Sequence, residues 1–269
     1  MLLSIVYGVY NSYQLIKPLK SGGEKVVYLA VCIANHREVV IKFLKSYKSK
    51  SARHRFRLEI TSMIKAGSKA GDRLAAILDF NLEDPIVFYV EEYFKYGSLA
   101  ETMKTIFDSG KTFNPKFALD YCRQILLGLH AIHTSNQIHR DIKPPNIMFR
   151  ALHQLVIIDM GLGRTLDRPC VNQTKAFCGT HGYAAPEQEL AGALPVDVRS
   201  DLYAVGVILH EMLTGQKGHW ASLSYSENRY IRQLLHKLLS FSANNRYSSA
   251  QEVIRVIDFI LYNRGELGI

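Results

Sequence analysis

The sequence predicts an α+β fold in two lobes: a five-stranded antiparallel sheet with one helix over residues 1–92, then a mainly helical part over residues 93–269. Three observations carry this. Strand signals, short runs rich in β-branched and aromatic residues, fill residues 13 to 44 and recur in "LAAILDF" and "PIVFYVEEY". After Gly97 the apolar spacing changes to three and four. No repeat, low-complexity tract or Pro/Gly/Ser linker separates the two textures, so the 269 residues read as a single domain.

The elements follow in order. "YQLIKPL", "KVVYLAVCI" and "REVVIKFL" read as three strands between residues 13 and 44, with a turn at Ala34-Asn35-His36. A helix is expected over Ala52 to Ala66, with Phe56, Ile60, Met63 and Ile64 at helical spacing. "LAAILDF" and "PIVFYVEEY" complete the sheet. In the helical part, "PKFALDYCRQILLGLHAIH" sets Phe117, Tyr121, Ile125, Leu129 and Ile132 on one stripe behind Pro115, a natural helix start. "SDLYAVGVILHEML" is apolar nearly all round, as a core helix is. "ENRYIRQLLHKLL" and "SAQEVIRVIDFIL" are amphipathic helices.

Composition narrows the function classes. Hydrophobic residues make up 48% and charged residues 21%, an ordinary globular mixture. The net charge of +9 favours acidic or phosphate-bearing partners. Nucleic acid is not expected, because neither zinc-knuckle spacing nor an aromatic RNA-binding signature is present. The basic run from Lys42 to Arg57 reads as a solvated helix face. Cys32, Cys122, Cys170 and Cys178 show no paired spacing, which fits free thiols in a reducing cytoplasm. "MLLSIVYGVY" lacks a basic start and a cleavage site, and no run approaches the roughly 18 apolar residues of a membrane span.

The chemistry concentrates in "IHRDIKPPNIMF" (138–149) and "LVIIDMG" (155–161). Asp141 lies two residues from the ammonium of Lys143 and five from the amide of Asn146, while Asp159 ends an apolar strand. Phosphoryl transfer uses such a set: one carboxylate to orient a hydroxyl, a cation to offset phosphate charge, and hard oxygen donors for Mg²⁺. Any one of these residues alone is more simply a cap or a surface charge. Together the stretches resemble the catalytic loop and metal motif of the eukaryotic-type protein kinases.

That resemblance extends over about residues 13 to 262 and implies roles for further positions. "VVIK" is similar to the third-strand motif, making Lys42 the contact for the α- and β-phosphates, and "RFRLEI" supplies Glu59 as its ion-pair partner. The resemblance makes Asp141 the catalytic carboxylate, with Lys143, Lys42 and Asn146 beside it, and makes Asn146 and Asp159 the metal ligands. Gly22, Gly23, Val27, Lys42, Glu59, Glu92, Asn146 and Asp159 form the implied nucleotide site. "CGTHGYAAPEQ" is similar to the end of an activation segment, with Thr180 facing substrate and Ala185-Pro186-Glu187 as anchor. Asp201 is implied to brace the catalytic-loop backbone, Arg246 to pair with Glu187, and His139 to be a packed core residue. Lys143 and Gly179-Thr180 resemble Ser/Thr rather than tyrosine kinases, and "GYAAPEQ" with "RSDLYAVGVILHEMLTG" is most similar to the bacterial Hanks-type group. Members of that group often add a membrane-spanning helix and an extracellular part, which this sequence is not expected to have.

Several positions depart from the family pattern. Its three loop glycines fall at Lys20, Gly22 and Lys25, so only the middle one remains, with Gly23 beside it. Glycine there lets backbone N–H groups approach phosphate oxygens without a Cβ in the way, and the tip keeps that freedom. Lys25 lies near the phosphates and could add charge there, but a solvated side chain is the expected reading. Met160 replaces the usual Phe after Asp159, a tolerable apolar exchange. Glu91 falls where an apolar residue usually precedes the hinge "EYFKYG", and a shift of one residue would put Val90 there instead. Between Gly215 and the helix near Glu227 there is little room for the family's next helix.

The resemblance therefore implies a protein serine/threonine kinase that uses ATP and Mg²⁺, with Mn²⁺ as a substitute. Its partners are protein substrates and a second copy that phosphorylates Thr174 of the activation segment, where Arg140 would bind the phosphate. Two alternatives stay open on the sequence. One is an ATP-binding pseudokinase or scaffold, suggested by the thinned glycine loop. The other is a small-molecule phosphotransferase, which typically has Gly in place of Arg140 and lacks the "APE" anchor.

Overall fold

A computed structural model describes residues 5–19, 24–83, 85–160, 164–165, 179–190, 195–216 and 228–263. The chain forms two compact units: Met1–Ser68 with Ala75–Lys95, and Lys69–Leu74 with Tyr96–Ile269.

The first unit is built on an antiparallel sheet with strand order β1-β2-β3-β4-β6-β5. The strands are β1 (Ile5–Tyr7), β2 (Ser12–Pro18), β3 (Lys25–Cys32), β4 (Glu38–Leu44), β5 (Ile77–Asn81) and β6 (Phe88–Glu92). The expected five strands are thus six. The extra one, β1, is only three residues long and pairs with β2 from Ile5↔Gln14 to Tyr7↔Ser12. Asp79 on β5 holds it in place. Its carboxylate accepts from the backbone N–H groups of Val9 (2.9 Å) and Asn11 (2.9 Å) and from the Tyr13 hydroxyl (2.9 Å). The Val9 N–H also donates to the Phe80 carbonyl at 3.0 Å, so the β1–β2 turn meets the far edge strand and the sheet curls. Gly8 is required at that turn, since a Cβ there would lie 2.3 Å from an Asp79 oxygen. Inside the curl, Val6, Tyr13, Ala30, Cys32, Val39, Ile41, Phe88 and Val90 form one core.

The other face is covered by α1 (Lys50–Ala70), whose Ala52, Phe56 and Ile60 pack on Leu44, Val87 and Tyr89. Ile64, placed by spacing on the buried stripe, is 50% exposed, because it lies one position past Met63 at the stripe's edge. Lys45, Lys48, Lys50, Arg55 and Arg57 of the basic run are exposed, but Lys42 is buried.

The second unit contains α2 (Leu99–Asp108), α3 (Pro115–Thr134), α4 (Pro186–Glu189), α5 (Val198–Thr214), α6 (Arg229–Leu238) and α7 (Ala250–Tyr262). A capping box from Ser98 and Glu101 starts α2. Pro115 opens α3 behind an Asn114 cap, at the expected place. Helix α3 packs against both α5 and α7. Phe117 in its first turn is 41% exposed rather than buried, stacking on His153 with ring centroids 5.0 Å apart. Helix α5 is buried nearly all round, and Gly206 lets α6 approach closely, since a Cβ there would lie 2.8 Å from that of Leu238. Short strands β7 (Gln137–Ile138), β8 (Ile147–Ala151) and β9 (Gln154–Ile157) frame the loop described next, and β10 (Arg164–Thr165) pairs with β7. Cys32 and Cys122 are free and buried; Cys170 and Cys178 lie outside the described residues. No helix among the described residues is long and apolar enough to cross a membrane.

Candidate active site

In the second unit, the segment between β7 and β8 gathers Asp141, Lys143 and Asn146. Asn146 sits in a 3-10 turn that Pro144 opens, and its amide nitrogen donates to the Asp141 backbone oxygen (2.9 Å) and to Oδ2 (3.2 Å). Lys143 Nζ lies 2.8 Å from Asp141 Oδ2. Thr180 joins them: its hydroxyl donates to Asp141 Oδ1 at 2.6 Å and accepts from Lys143 Nζ at 2.7 Å. The carboxylate is therefore oriented from three sides and already holds a hydroxyl as a hydrogen-bond donor. Ile158 N donates to the Asn146 carbonyl (2.9 Å), which sets Asp159 next in chain beside Asn146. Asp159 has φ +62°, a left-handed conformation uncommon outside glycine. Met160 is buried, 2% exposed, as an apolar exchange for Phe requires.

Asp201, in the first turn of α5, holds this loop from behind. It is 1% exposed and accepts from the backbone N–H of His139 (2.9 Å) and Arg140 (2.8 Å), with His133 Nε2 at 2.8 Å. Receiving two successive N–H groups on one carboxylate goes with Arg140 at φ +69°. Burial pushes the Asp201 carboxyl up, but the His133 hydrogen bond and charge, with His139, outweigh it and leave the pKa lowered. His139 is fully buried, with Nδ1 accepting from Asp141 N at 3.3 Å.

The end of the segment carrying Thr180 is tied to the same frame. Gln188 donates to the Arg140 carbonyl (2.9 Å), and Tyr183 donates its hydroxyl to Glu211 (2.6 Å). Glu187 takes both ends of the Arg246 guanidinium, at 2.7 and 2.9 Å, and the Ser200 hydroxyl at 2.6 Å. Burial raises the Glu187 pKa, yet the Arg246 and Ser200 hydrogen bonds and the Arg246 charge bring it below the usual carboxylate range.

In the first unit, Lys42, Val27, Tyr89 and Glu91 share the sheet face that α1 covers. The register sets Val27 opposite Lys42 and Lys42 opposite Tyr89; Lys25 and Glu91 are two residues from Val27 and Tyr89. The expected Lys42–Glu59 pair is not formed. Glu59 takes Lys25 instead, together with the Tyr89 hydroxyl at 3.0 Å, while Lys42 Nζ pairs with Glu91 at 2.7 Å. Lys25 is accordingly not a solvated side chain: its side chain is 13% exposed. Nor is the Glu91 register shifted, because Val90 points into the opposite core and Glu91 is 2% exposed beside Lys42. The two-residue strand period, which puts Lys25 on the face of Val27 and Glu91 on that of Tyr89, is the signal in the sequence for these inward charges. Glu92 points to the other face and meets exposed Arg37 at 3.3 Å. Gly22, Gly23, Thr174 and the stretch expected to lack a helix lie outside the described residues.

Comparison with known proteins agrees with this geometry. The family model for the protein kinase domain matches residues 13–264. The chain is 33% identical to the serine/threonine-protein kinase PrkC of Bacillus subtilis over 210 residues, 77% of this chain and 31% of that protein. It is 30% identical to serine/threonine-protein kinase A of Synechocystis, over 93% of this chain and 53% of that protein. Mycobacterium leprae PknB, another serine/threonine-protein kinase, is 32% identical over 77% of this chain and 33% of its own length. The chain thus spans about a third to a half of the curated relatives it matches. With a curled antiparallel sheet, a largely helical second unit and the Asp141–Asn146 loop braced by Asp201, this chain belongs to the protein kinase family, among relatives that are bacterial serine/threonine kinases.

Proposed function

We propose that the chain is one protein kinase domain, residues 1–269, that transfers the γ-phosphate of ATP to Ser and Thr hydroxyls of proteins. The observation that carries this reading is the Thr180 hydroxyl on Asp141 Oδ1, with Lys143 beside both at 2.7 and 2.8 Å. Asp141 binds an acceptor hydroxyl, orients its oxygen toward phosphorus and accepts its proton, and Lys143 offsets the charge that develops. Mg²⁺ or Mn²⁺, when bound with ATP, supplies Lewis-acid stabilisation of the transferring phosphoryl group. The donors fit it. Asn146 spends its amide nitrogen on Asp141, which leaves the amide oxygen for a hard cation, and Asp159 adds a carboxylate. Val27, Lys42 and Glu59, with the Gly22-Gly23 turn and the hinge at Glu92, hold the nucleotide.

The substrates are proteins, and a second copy of the chain is one of them, phosphorylated at Thr174. Supporting this, the Arg140 Nε is buried without a hydrogen-bond partner among the described residues, so its guanidinium has capacity for an anion. The reducing thiols Cys32 and Cys122 support a cytoplasmic setting for this domain.

One set of incubations with labelled Mg·ATP and a mixture of Ser- and Thr-containing peptides tests the reading. Incorporation is expected in the wild type, with phosphate on Thr174 by mass spectrometry. Asp141→Asn should lose transfer but keep Mg·ATP binding, whereas Asp159→Ala should lose Mg²⁺-dependent binding. Equal Mg·ATP affinity in both variants refutes the role assignment.

A further inference from the structure

We infer that a cavity in the second unit, between α2, α3 and the β8–β9 hairpin, docks an extended segment of protein substrates that carries apolar side chains next to an acidic one. This rests on the kinase reading above and names a substrate feature that the Asp141 loop does not itself contact.

The cavity holds about 460 Å³. Its floor is aromatic: the buried rings of Phe113, Tyr121 and Phe149 meet edge to face, with centroids 6.1 and 5.6 Å apart. The Tyr121 hydroxyl, the one polar atom of those rings, lies 2.7 Å from His153 Nδ1, so the floor carries no unpaired polar side-chain atom. The walls are fixed in place. Phe113 N donates to the Met212 carbonyl of α5, and Phe149 N donates to the Gly97 carbonyl, both at 2.9 Å. A pre-formed apolar cavity with few polar groups is the usual form of a binding site.

Two observations select the occupant. The apolar surface continues past the mouth: Leu152, in the hairpin turn, is 83% exposed, and the lining residues Tyr96 and Phe117 are about half exposed. A compact ligand would leave this rim in water, whereas an extended chain crossing the mouth covers it. Charge selects the rest. Among the described residues no carboxylate lines the cavity, and Asp108 at the end of α2 already pairs with Lys104. Thr102 and Ser109 donate their hydroxyls to the Ser98 and Ile106 carbonyls, and Asn114 Oδ1 accepts from Lys116 N. Lys111 lines the cavity and Lys116 stands over the Phe117 ring, and neither makes an ion pair among the described residues. An acidic residue in the docked segment complements these lysines, and a basic one is repelled.

The hairpin sets the reach. Strand β8 begins directly after Asn146, so its end at Ala151 lies about 17 Å from the catalytic loop at roughly 3.3 Å per residue. A docked segment joined to a Ser or Thr by enough chain to span that distance raises the acceptor's local concentration at Asp141.

Random peptides displayed on phage, selected on the whole chain and counter-selected on the Phe117→Ala/Leu152→Ser variant, test this. Both side chains are exposed, so the variant keeps its fold, which circular dichroism checks. We expect the selected sequences to share two apolar residues with Asp or Glu beside them. One such peptide, labelled, should lose about tenfold in affinity on the double variant by fluorescence polarisation. Lys111→Glu should weaken it too, and exchanging the peptide's acidic residue for Lys should restore binding to that variant. Fused to a Ser-containing peptide through a flexible linker, the segment should lower KM by about tenfold or more with kcat unchanged, and a linker too short to span the hairpin should give no gain. Selected peptides without apolar residues, or binding indifferent to both variants, overturn the docking site while leaving phosphate transfer standing. A wild type that elutes as a dimer, with the double variant a monomer, would make a second copy the occupant and overturn it as well. Binding that depends on Phe117 and Leu152, with no transfer to any peptide, refutes the kinase reading and the substrate role with it.

Discussion

Replacing Arg246 by Met tests how the second unit holds the segment that carries Thr180. The Arg246 side chain is fully buried and spends its guanidinium on Glu187 twice, on the Ser240 and Phe241 carbonyls at 2.8 and 3.0 Å, and over the Tyr203 ring at 4.7 Å. Methionine fills similar volume, so the main effect is a stranded Glu187 and unpaired carbonyls. Breaking a buried pair in this way costs about 3–5 kcal/mol. For a domain of this size, at about 2–4 °C per kcal/mol, the thermal midpoint should fall by about 10 °C. Circular dichroism melts measure it.

The pH dependence has a definite sign. In the wild type Glu187 is held below the usual carboxylate range, so its contribution is present above about pH 4 and lost as pH falls through the lowered value. In the variant, burial dominates and raises that pKa, so the penalty vanishes as protonation neutralises the carboxyl. The gap between the two proteins should therefore be widest near neutrality and close toward pH 4. The double variant Glu187→Met/Arg246→Met has no stranded charge and should be more stable than Arg246→Met alone. A single-variant loss under about 1 kcal/mol, or a double variant no better than the single, refutes the reasoning.

Asp201→Asn offers one acceptor oxygen where His139 and Arg140 present two N–H groups, so the loop shifts and kcat should fall about hundredfold. Steady-state kinetics check this, and a change under threefold counts against the brace. Asp79→Ala leaves the N–H groups of Val9 and Asn11 and the Tyr13 hydroxyl without their acceptor, a loss of about 3 kcal/mol when part of the exposed backbone rehydrates. Hydrogen exchange should accelerate at residues 9–11 while α5 stays protected; unchanged protection at 9–11 would refute it.

Much of this protein is decided locally along the chain. Short runs rich in β-branched and aromatic residues, "KVVYLAVC" and "EVVIKFL", specify β3 and β4, and an all-round apolar "SDLYAVGVILHEML" specifies a core helix, because burial on both faces of a strand or all round a helix leaves a near-continuous apolar run in the sequence. Asp141, Lys143 and Asn146 are equally legible, since one short loop supplies all three. What only the tertiary structure decided is partnership between distant segments. Strand β1 is too short to carry a pattern, and it exists because Asp79, some seventy residues away, takes the N–H groups of its turn. The exchange of partners between Lys25, Lys42, Glu59 and Glu91 follows from cross-strand register and from which face α1 covers. Spacing along the chain says that each of these charges points inward, but an ion pair forms across hydrogen-bonded strands, and that neighbourhood is set only when the sheet assembles.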